Sequence, residues 1–398
     1  MDYRSFFPKT IQNSLNNPAP GAWMPNVPCG AVRLSAGYPD PAFIPTHQFT
    51  DTIEKLIQEE HDLPFHYIGS RYTAELRQWI VDHLSSRNMV VRPTELLVAA
   101  GAFQAIDLVA RILLDSSKAV VVEAPTYMEA LEVFQNYTTD ILSVPVDRDG
   151  LCVDTLEQML AERRANHLQM PSLLYTIPSF QNPTGSTMPL SRRQKLLSLA
   201  EMYDFLVLED DAYGDLFFDK APITLKSLDQ TGRVIYVGSL SKVLGPGLRI
   251  GWAVGPEPII HAMNWFKKDL DHTFIEAAVG CFMGRIDWNA RLQTMRQGYA
   301  QRRDIMLSAL KEHMPDGVTW SVPDGGYFIW VHVPGVDTHA LLDIAMEAGV
   351  SFIPGNYFYL DTEAPRDYLR LSFSYVSAED MVRGIERLAG AIKTFQLS

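Results

Sequence analysis

Between residues 96 and 254, short apolar runs alternate with segments that have the periodicity of amphipathic helices. The segment 103–114, for example, repeats apolar side chains at three- and four-residue intervals. Such alternation predicts a mainly parallel sheet with helices on both faces. The predicted fold class is therefore α/β, with a mainly parallel seven-stranded sheet between helices. The predicted strands are 96–99, 119–123, 141–146, 172–177, 205–209, 234–238 and 251–254.

The segments on either side of this sheet have a different character. Residues 1–50 are rich in proline and turn-forming residues, which predicts an extended N-terminal arm. Residues 51–287 are predicted to form a large domain, with helices over 47–60 and 73–87 before the first strand. Residues 288–398 are predicted to form a connecting helix and a smaller α+β domain, which the arm joins. The strands predicted there are 318–322, 327–333 and 368–373, and the helices are 288–313, 338–348 and 378–394.

The composition narrows the possible partners of this chain. A length of 398 residues is enough for one large or two medium domains. The net charge of −13 argues against binding to nucleic acid or to anionic membranes, although a small anionic ligand senses only local charge. The 3 cysteines form no CxxC pair, and the N-terminus has no apolar signal core. We therefore expect a cytoplasmic protein with no metal site, no disulfide framework and no membrane segment.

Polar residues follow the predicted strands, and ligands of open α/β sheets bind beyond the carboxyl ends of the strands. Gly101 opens a helix whose free N–H groups favour a phosphate. Tyr127 suits stacking on a planar ring, and Asn182 lies at a proline-containing turn. The carboxylate of Asp210 suits a metal, a solvated loop or a pyridinium nitrogen. Taken singly, each of these residues also fits an ordinary turn, core or surface position.

Lys242 follows the apolar segment 234–237, which is predicted to be a buried strand. The hydroxyls of Ser239 and Ser241 flank this amine, and Arg249 follows it. This pattern suits a lysine that forms a Schiff base, and it also suits a phosphate site. Without other motifs, a solvated surface lysine explains the pattern better.

Together, these motifs resemble those of the pyridoxal-phosphate-dependent aminotransferases of fold type I, in the class I/II branch. The resemblance covers nearly the whole chain, from Gly37-Tyr38-Pro39-Asp40 to Arg370-Leu371-Ser372-Phe373. It implies pyridoxal 5′-phosphate as the cofactor, bound by the large domain. The matching motifs, in the family's order and spacing, are Asn182-Pro183-Thr184-Gly185, Asp210-x-x-Tyr213, and Ser239-x-Ser241-Lys242 with Arg249.

The resemblance implies a role for each residue near the cofactor. Lys242 would form the Schiff base and then act as the base that moves the substrate Cα proton. Asp210 would pair with the ring nitrogen and keep it protonated. Tyr213 and Asn182 would donate to the ring oxygen, and Tyr127 would stack on the ring. The phosphate would be held by Gly101, the amides of Ala102 and Phe103, Ser239, Ser241 and Arg249.

Other residues would contact the substrate or a second subunit. The resemblance implies that Arg370 binds the substrate α-carboxylate, because a guanidinium matches a planar carboxylate. Asn182, Gly37 and Tyr38 would lie near the substrate, and Gly37 allows close backbone approach. Tyr67 matches a tyrosine that reaches the phosphate of the neighbouring subunit, which implies a homodimer with shared active sites.

The chain departs from the family pattern at several positions. Ala102 and Phe103 replace a hydroxyl or glutamine that often follows the first glycine of the phosphate loop. Arg71 and Tyr72 add bulk and charge where relatives have a glycine-rich turn. One hypothesis is that Arg71 recognises a polar substrate tail across the subunit interface; a surface ion pair is the alternative.

The expected activity is a ping-pong transfer of an amino group between an L-amino acid and a 2-oxo acid. The amino acid is expected to be 2-aminoadipate-like, aromatic or branched-chain. The same residues also fit a pyridoxal-phosphate-dependent lyase, decarboxylase or cyclase acting on a specialised amino acid. A regulator with an aminotransferase-like domain is a further alternative. The short, proline-rich stretch before Gly37 and the negative charge argue against it.

Overall fold

The computed structural model of the protein describes residues 3–15, 21, 26–67, 69–268, 271–360 and 364–397. Its strands form one large sheet, one smaller sheet and one isolated strand pair. The strands are β1 (Val32–Arg33), β2 (Leu96–Ala99), β3 (Ala119–Ala124), β4 (Ile141–Asp147), β5 (Gly150–Leu151), β6 (Pro171–Thr176), β7 (Leu206–Asp210), β8 (Val234–Ser239), β9 (Gly251–Val254), β10 (Thr319–Trp320), β11 (Phe328–His332), β12 (Val350–Ser351), β13 (Ile353–Pro354) and β14 (Tyr368–Ser372).

The helices alternate with the strands of the large sheet and then dominate the C-terminal part of the chain. They are α1 (Lys9–Ser14), α2 (Thr46–Glu60), α3 (Arg71–Ser86), α4 (Ala102–Leu113), α5 (Met128–Gln135), α6 (Val153–Ala165), α7 (Leu190–Tyr203), α8 (Leu225–Leu228), α9 (Glu257–Lys267), α10 (Thr273–Met283), α11 (Trp288–His313), α12 (Thr338–Glu347) and α13 (Ala378–Leu397). Among the described helices, none is long and apolar enough to cross a membrane.

The large sheet confirms the predicted α/β class. Its strand order is β2-β9-β8-β7-β6-β3-β4-β5, and the pairs from β4 through β3, β6 and β7 to β8 are parallel. Each of the seven predicted strands is present within one residue at each end. The sheet has eight strands rather than seven, because Gly150–Leu151 turns back and pairs antiparallel with β4. A two-residue strand carries no periodic pattern that the sequence could reveal.

Helices cover both faces of this sheet, as the alternation predicts. On one face, α4, α5 and α9 contribute Ile106, Phe134 and Met263 to a buried cluster with strand residues. On the other face, α6 and α7 contribute Leu156 and Leu199 to a second cluster. Side chains alternate between the two faces along a strand, so apolar residues at successive positions of the central strands enter both clusters.

The smaller sheet is antiparallel and has the order β10-β11-β14-β13. The N-terminal segment reaches this part of the fold through β1, which pairs in parallel with β12. The backbone N–H of Ser372 also donates to the Leu34 carbonyl oxygen at 2.8 Å. These contacts link the N-terminal segment to the C-terminal part of the chain, while the predicted division into an arm and two domains, with boundaries at residues 50 and 287, stays a prediction.

Candidate active site

A cavity of about 450 Å³ lies beyond the carboxyl ends of the parallel strands. It is bounded by the large sheet, by the segment after β1 and by β11 and β14 of the smaller sheet. The structure therefore brings together residues that are far apart in sequence. The predicted site residues that line the cavity are Gly37, Tyr38, Ala102, Phe103, Tyr127, Asn182, Asp210, Tyr213, Ser239, Ser241, Lys242, Arg249 and Arg370.

Lys242 lies three residues after β8, and its amine points into this cavity. The Nζ atom donates to the carbonyl oxygen of Gly37 at 3.0 Å. The hydroxyl of Tyr327 donates to the Lys242 carbonyl oxygen at 2.6 Å, which fixes the backbone of the loop. Burial, with a smaller effect of the Arg370 charge, lowers the pKa of Lys242 to about 8. A buried amine with a lowered pKa is a better nucleophile at neutral pH than a surface lysine.

Asp210 is the last residue of β7 and is buried. One carboxylate oxygen accepts a hydrogen bond from the Tyr175 hydroxyl at 2.8 Å, and the other accepts from the Ala212 N–H at 3.2 Å. Burial raises the pKa of Asp210 to about 6, while these two hydrogen bonds act in the opposite direction. The carboxylate is thus held in place and lacks a cationic partner at hydrogen-bonding distance among the described residues.

The start of α4 lies directly beside the Arg249 guanidinium. Gly101 precedes the helix with a φ of +83°, and no side chain caps the first turn. The Nη2 atom of Arg249 donates to the Ala100 carbonyl oxygen at 2.9 Å, so the guanidinium lies against this turn. The positive φ favours glycine at residue 101, and a Cβ atom there would also lie 2.7 Å from that Nη2 atom, so the arginine side chain would have to move. Uncapped N–H groups beside an arginine suit a phosphate.

Ser239, the last residue of β8, and Ser241 line the cavity together with Lys242 and Arg249. The Ser239 hydroxyl donates to the Ser241 hydroxyl oxygen at 2.9 Å and accepts from the Ser241 N–H at 3.0 Å. Both serines therefore have local partners that hold the loop between β8 and Lys242. Their hydroxyl groups also line the cavity, where a ligand can replace these contacts.

Arg370, on β14, supplies a buried guanidinium on the smaller-sheet side of the cavity. Nη1 donates to the Asn182 Oδ1 atom at 2.9 Å, and Nη2 donates to the Ser35 carbonyl oxygen at 3.1 Å. The guanidinium carbon lies 4.1 Å from the centre of the Phe328 ring. Burial lowers the pKa of Arg370 to about 10, so the group stays cationic at neutral pH.

Aromatic side chains shape the rest of the cavity. The ring of Tyr213 lies 5.6 Å from the Lys242 amine and packs edge-on against Tyr327 and Phe328. Tyr127 lies at the start of α5, and its hydroxyl donates to a carboxylate oxygen of Glu129. Tyr38 is 53% exposed at the mouth of the cavity. The aromatic groups thus form walls on which a planar ring can rest.

Among the predicted residues, Tyr67 and Arg71 lie away from the cavity wall of this chain, and Gly101 adjoins the wall next to Ala102 without lining it. The side chain of Tyr67 is 88% exposed, so it contacts no site formed by its own chain. Arg71 forms an ion pair with Glu59 at 3.2 Å and donates to the Tyr72 hydroxyl at 2.9 Å. This geometry agrees with the surface ion pair that we considered as the alternative for Arg71.

Sequence reasoning missed Tyr175 and Glu129. Tyr175 looks like an ordinary core residue of a strand, and only the register of β6 against β7 brings its hydroxyl to Asp210. Glu129 looks like a solvated acid in the first turn of a helix, yet it lines the cavity. Its position two residues after Tyr127 is the only sequence signal that could have indicated this.

The side chains present fit pyridoxal phosphate better than a metal. Among the described residues, no group of histidine, cysteine, aspartate and glutamate side chains could hold a metal ion. The cavity instead combines a partly buried amine, a buried carboxylate and an uncapped helix start beside an arginine. These groups match the aldehyde, the ring nitrogen and the phosphate of the cofactor. Fold and site together define a pyridoxal-phosphate-dependent enzyme of fold type I.

Comparison with known proteins specifies the family. Residues 32–388 match the family described as aminotransferase class I and II. The chain is 34% identical over 368 residues to aromatic-amino-acid aminotransferase 1 of Thermococcus litoralis, an alignment that covers 91% of this chain and 88% of that protein. It is 33% identical over 373 residues to the 2-aminoadipate transaminase of Thermus thermophilus, covering 92% and 90% respectively.

A solved structure agrees with this assignment. The kynurenine aminotransferase of Pyrococcus horikoshii, in complex with PMP, has a TM-score of 0.90 and 35% sequence identity to this chain. The match covers 100% of this chain and 99% of the other. The chain therefore belongs to the class I and II aminotransferase family, and its cofactor is pyridoxal 5′-phosphate.

Proposed function

We propose that the protein transfers an amino group between an L-amino acid and a 2-oxo acid by a ping-pong mechanism, with Lys242 as the catalytic residue. The observation that carries this proposal is the partly buried Lys242 amine, which shares a cavity with the buried, cationic Arg370 and the buried carboxylate of Asp210. An amine, a carboxylate-binding cation and a cofactor-binding carboxylate are the groups that a transaminase needs.

The cofactor-binding residues divide into two groups. We propose that the start of α4, with Gly101, Ala102 and Phe103, binds the phosphate together with Arg249 and the two serines of the β8 loop. Asp210 binds the ring nitrogen, which its burial and its bond from Tyr175 support. When bound, pyridoxal phosphate supplies an electron sink for the charge that develops at the substrate Cα.

The remaining residues act on the substrate and on the proton. Arg370 binds the α-carboxylate, and its bond to Asn182 keeps the guanidinium oriented. Tyr127 and Tyr213 restrain the cofactor plane. The Lys242 amine takes the proton from the substrate Cα, and its lowered pKa suits this role because neutral amine is present near neutral pH.

The names of relatives support a preference for large amino acids. Relatives similar over more than nine-tenths of this chain are named as aromatic-amino-acid and 2-aminoadipate aminotransferases. We propose an amino acid from the aromatic, 2-aminoadipate-like or branched-chain group as the donor. Release of ammonia without amino transfer would instead favour the lyase alternative.

We also propose a homodimer in which Tyr67 reaches the phosphate of the neighbouring subunit. Its 88% exposure supports this role, because the side chain is free to contact another chain. Nearby, Phe65 is 64% exposed and stacks on Phe274 with ring centres 5.0 Å apart, which forms an apolar surface. The free thiols of Cys29, Cys152 and Cys281 support a reducing compartment, so we place the enzyme in cytoplasmic amino acid metabolism and biosynthesis.

The decisive experiment measures amino transfer. The protein loaded with pyridoxal phosphate is mixed with one amino acid and one 2-oxo acid, and both products are quantified. We expect the new amino acid and the new oxo acid in a ratio of about one, with parallel initial-velocity lines. Lys242→Ala should abolish turnover. Amino transfer by the Lys242→Ala variant at the rate of the unchanged protein would contradict the proposed role of this lysine.

A further inference from the structure

Glu129 is a charged residue of the cavity wall to which the proposed function gives no role. It lies in the first turn of α5, directly after Tyr127 and Met128, and its side chain is half-buried. An acidic residue in a first turn is favoured by the helix dipole, which explains why the fold tolerates it. The dipole does not explain why the side chain lines the cavity together with Lys242 and Arg370.

The carboxylate of Glu129 has one neutral partner. Its Oε2 atom accepts a hydrogen bond from the Tyr127 hydroxyl. In the described part of the chain it forms no ion pair, so no protein cation neutralises it directly. Asp210, the other carboxylate of the cavity, is used by the cofactor. The negative charge of Glu129 is therefore available to act on a bound substrate.

The charge of Glu129 acts on two groups of the cavity that meet the amino acid. Burial is the main influence on the pKa of Lys242 and of Arg370, and it lowers both. The Glu129 carboxylate acts on both groups in the opposite direction. Glu129 is thus held beside the cofactor-contacting Tyr127, and its charge acts on Lys242 and Arg370, the groups that meet the amino acid.

We propose that Glu129 determines the side-chain preference of this site. Its carboxylate favours amino acids whose side chain is uncharged or carries a hydrogen-bond donor, and it disfavours those whose side chain ends in a carboxylate. The inference rests on the proposed function and narrows its substrate group, because it selects against 2-aminoadipate-like donors. Both half-reactions use one site, so the same preference applies to the 2-oxo acid.

Arg33 is the competing influence, because its cation also lines the cavity and would attract an acidic side chain. The Arg33 side chain is exposed, whereas the Glu129 side chain is half-buried and held by Tyr127. Water and salt screen an exposed charge more strongly than a partly buried one. The effect of Glu129 therefore exceeds that of Arg33.

The test compares a neutral and an acidic substrate of nearly equal shape. For the enzyme loaded with pyridoxal phosphate, kcat/KM is measured with L-glutamine and with L-glutamate. In Glu129→Gln, which keeps the side-chain length, we expect the glutamine-to-glutamate ratio to fall about tenfold, equivalent to about 1.4 kcal/mol. Glu132→Gln is the matched control, because it removes the same charge from the same helix outside the cavity. The ratio should not change in this control.

A second readout does not depend on turnover. The dissociation constants of hexanoate and adipate are measured from absorbance changes of the loaded protein, and Glu129→Gln should weaken the preference for hexanoate by a similar factor. Unchanged ratios in Glu129→Gln would overturn the proposal, as would an equal change in Glu132→Gln. The proposal would also be overturned if the preference for the neutral ligand changed in Arg33→Gln and stayed the same in Glu129→Gln. If no amino acid is turned over, the proposed function fails, while the binding ratio still decides this inference.

Discussion

Replacing Tyr175 with phenylalanine should weaken cofactor binding at pH 7 and leave it nearly unchanged at pH 9. The substitution removes the hydroxyl that donates to Asp210 at 2.8 Å, and it leaves the buried ring in place. A hydrogen bond to a charged group contributes about 1.5–3 kcal/mol, so its loss shifts the ionisation equilibrium of Asp210 about tenfold to hundredfold toward the protonated acid. Only the ionised carboxylate can accept the protonated ring nitrogen of the cofactor.

The magnitude follows from the pKa of Asp210, which burial raises to about 6. At pH 7 about nine-tenths of the unaltered apoprotein carries the ionised carboxylate, and in the variant this fraction falls to between about one half and one tenth. Because apparent affinity scales with the competent fraction, the apparent Kd should rise about twofold to tenfold. At pH 9 the carboxylate is ionised in both proteins, so the two Kd values should nearly agree.

The assay is an absorbance titration of the apoprotein with pyridoxal phosphate at both pH values. Tyr137→Phe is the matched control, because it removes a hydroxyl that donates to Asp107 at 2.9 Å outside the cavity. This control should bind the cofactor with the affinity of the unaltered protein at pH 7 and pH 9. Equal weakening of Tyr175→Phe at both pH values, or no weakening at either, would refute the reasoning.

Two further predictions concern the amine and the fold. Stopped-flow absorbance can follow the rate at which the apoprotein incorporates pyridoxal phosphate. This rate should rise about tenfold per pH unit below the Lys242 pKa of about 8 and level off above it. A rise that continues beyond pH 10 would contradict this prediction. Arg87→Ala leaves Asp211, which it contacts at 2.7 Å, buried without its cation and should cost about 3–5 kcal/mol of unfolding free energy in urea. The exposed control Arg92→Ala should cost less than about 1 kcal/mol, and equal losses would contradict the reasoning.

Much of the fold could be predicted because the large sheet is buried on both faces. Buried strands are apolar along their whole length, so 96–99 and 251–254 were predicted to the residue. The small sheet was harder. The strand predicted over 318–322 is limited to Thr319–Trp320, since Val322 is 64% exposed and Pro323 lacks an N–H group. Two-residue strands such as Val350–Ser351 form through pairing with a distant segment, which local sequence does not encode.

In the site, too, features marked by neighbouring residues could be predicted from the sequence, whereas contacts between distant segments could not. A strand end and two nearby hydroxyls drew attention to Lys242, but this local pattern alone also fits a surface lysine, and only the further motifs of the family decided between the two. The partner of Arg370 could not be derived in this way, since Asn182 lies 188 positions away and only the tertiary fold brings the two together. The resemblance to the aminotransferase family is what placed Asn182 and Arg370 in the same substrate site. Resemblance gave no indication of Glu129, because the role proposed for it depends on this chain's own side chains.

The most direct test of the account identifies the residue that holds the cofactor. The protein loaded with pyridoxal phosphate is reduced with borohydride, digested and analysed by peptide mass spectrometry, which locates the stable phosphopyridoxyl amine. The cavity-lining amine with its lowered pKa predicts a single modified lysine, Lys242. A label on another lysine, or an unmodified Lys242 peptide from fully loaded protein, would contradict the central claim.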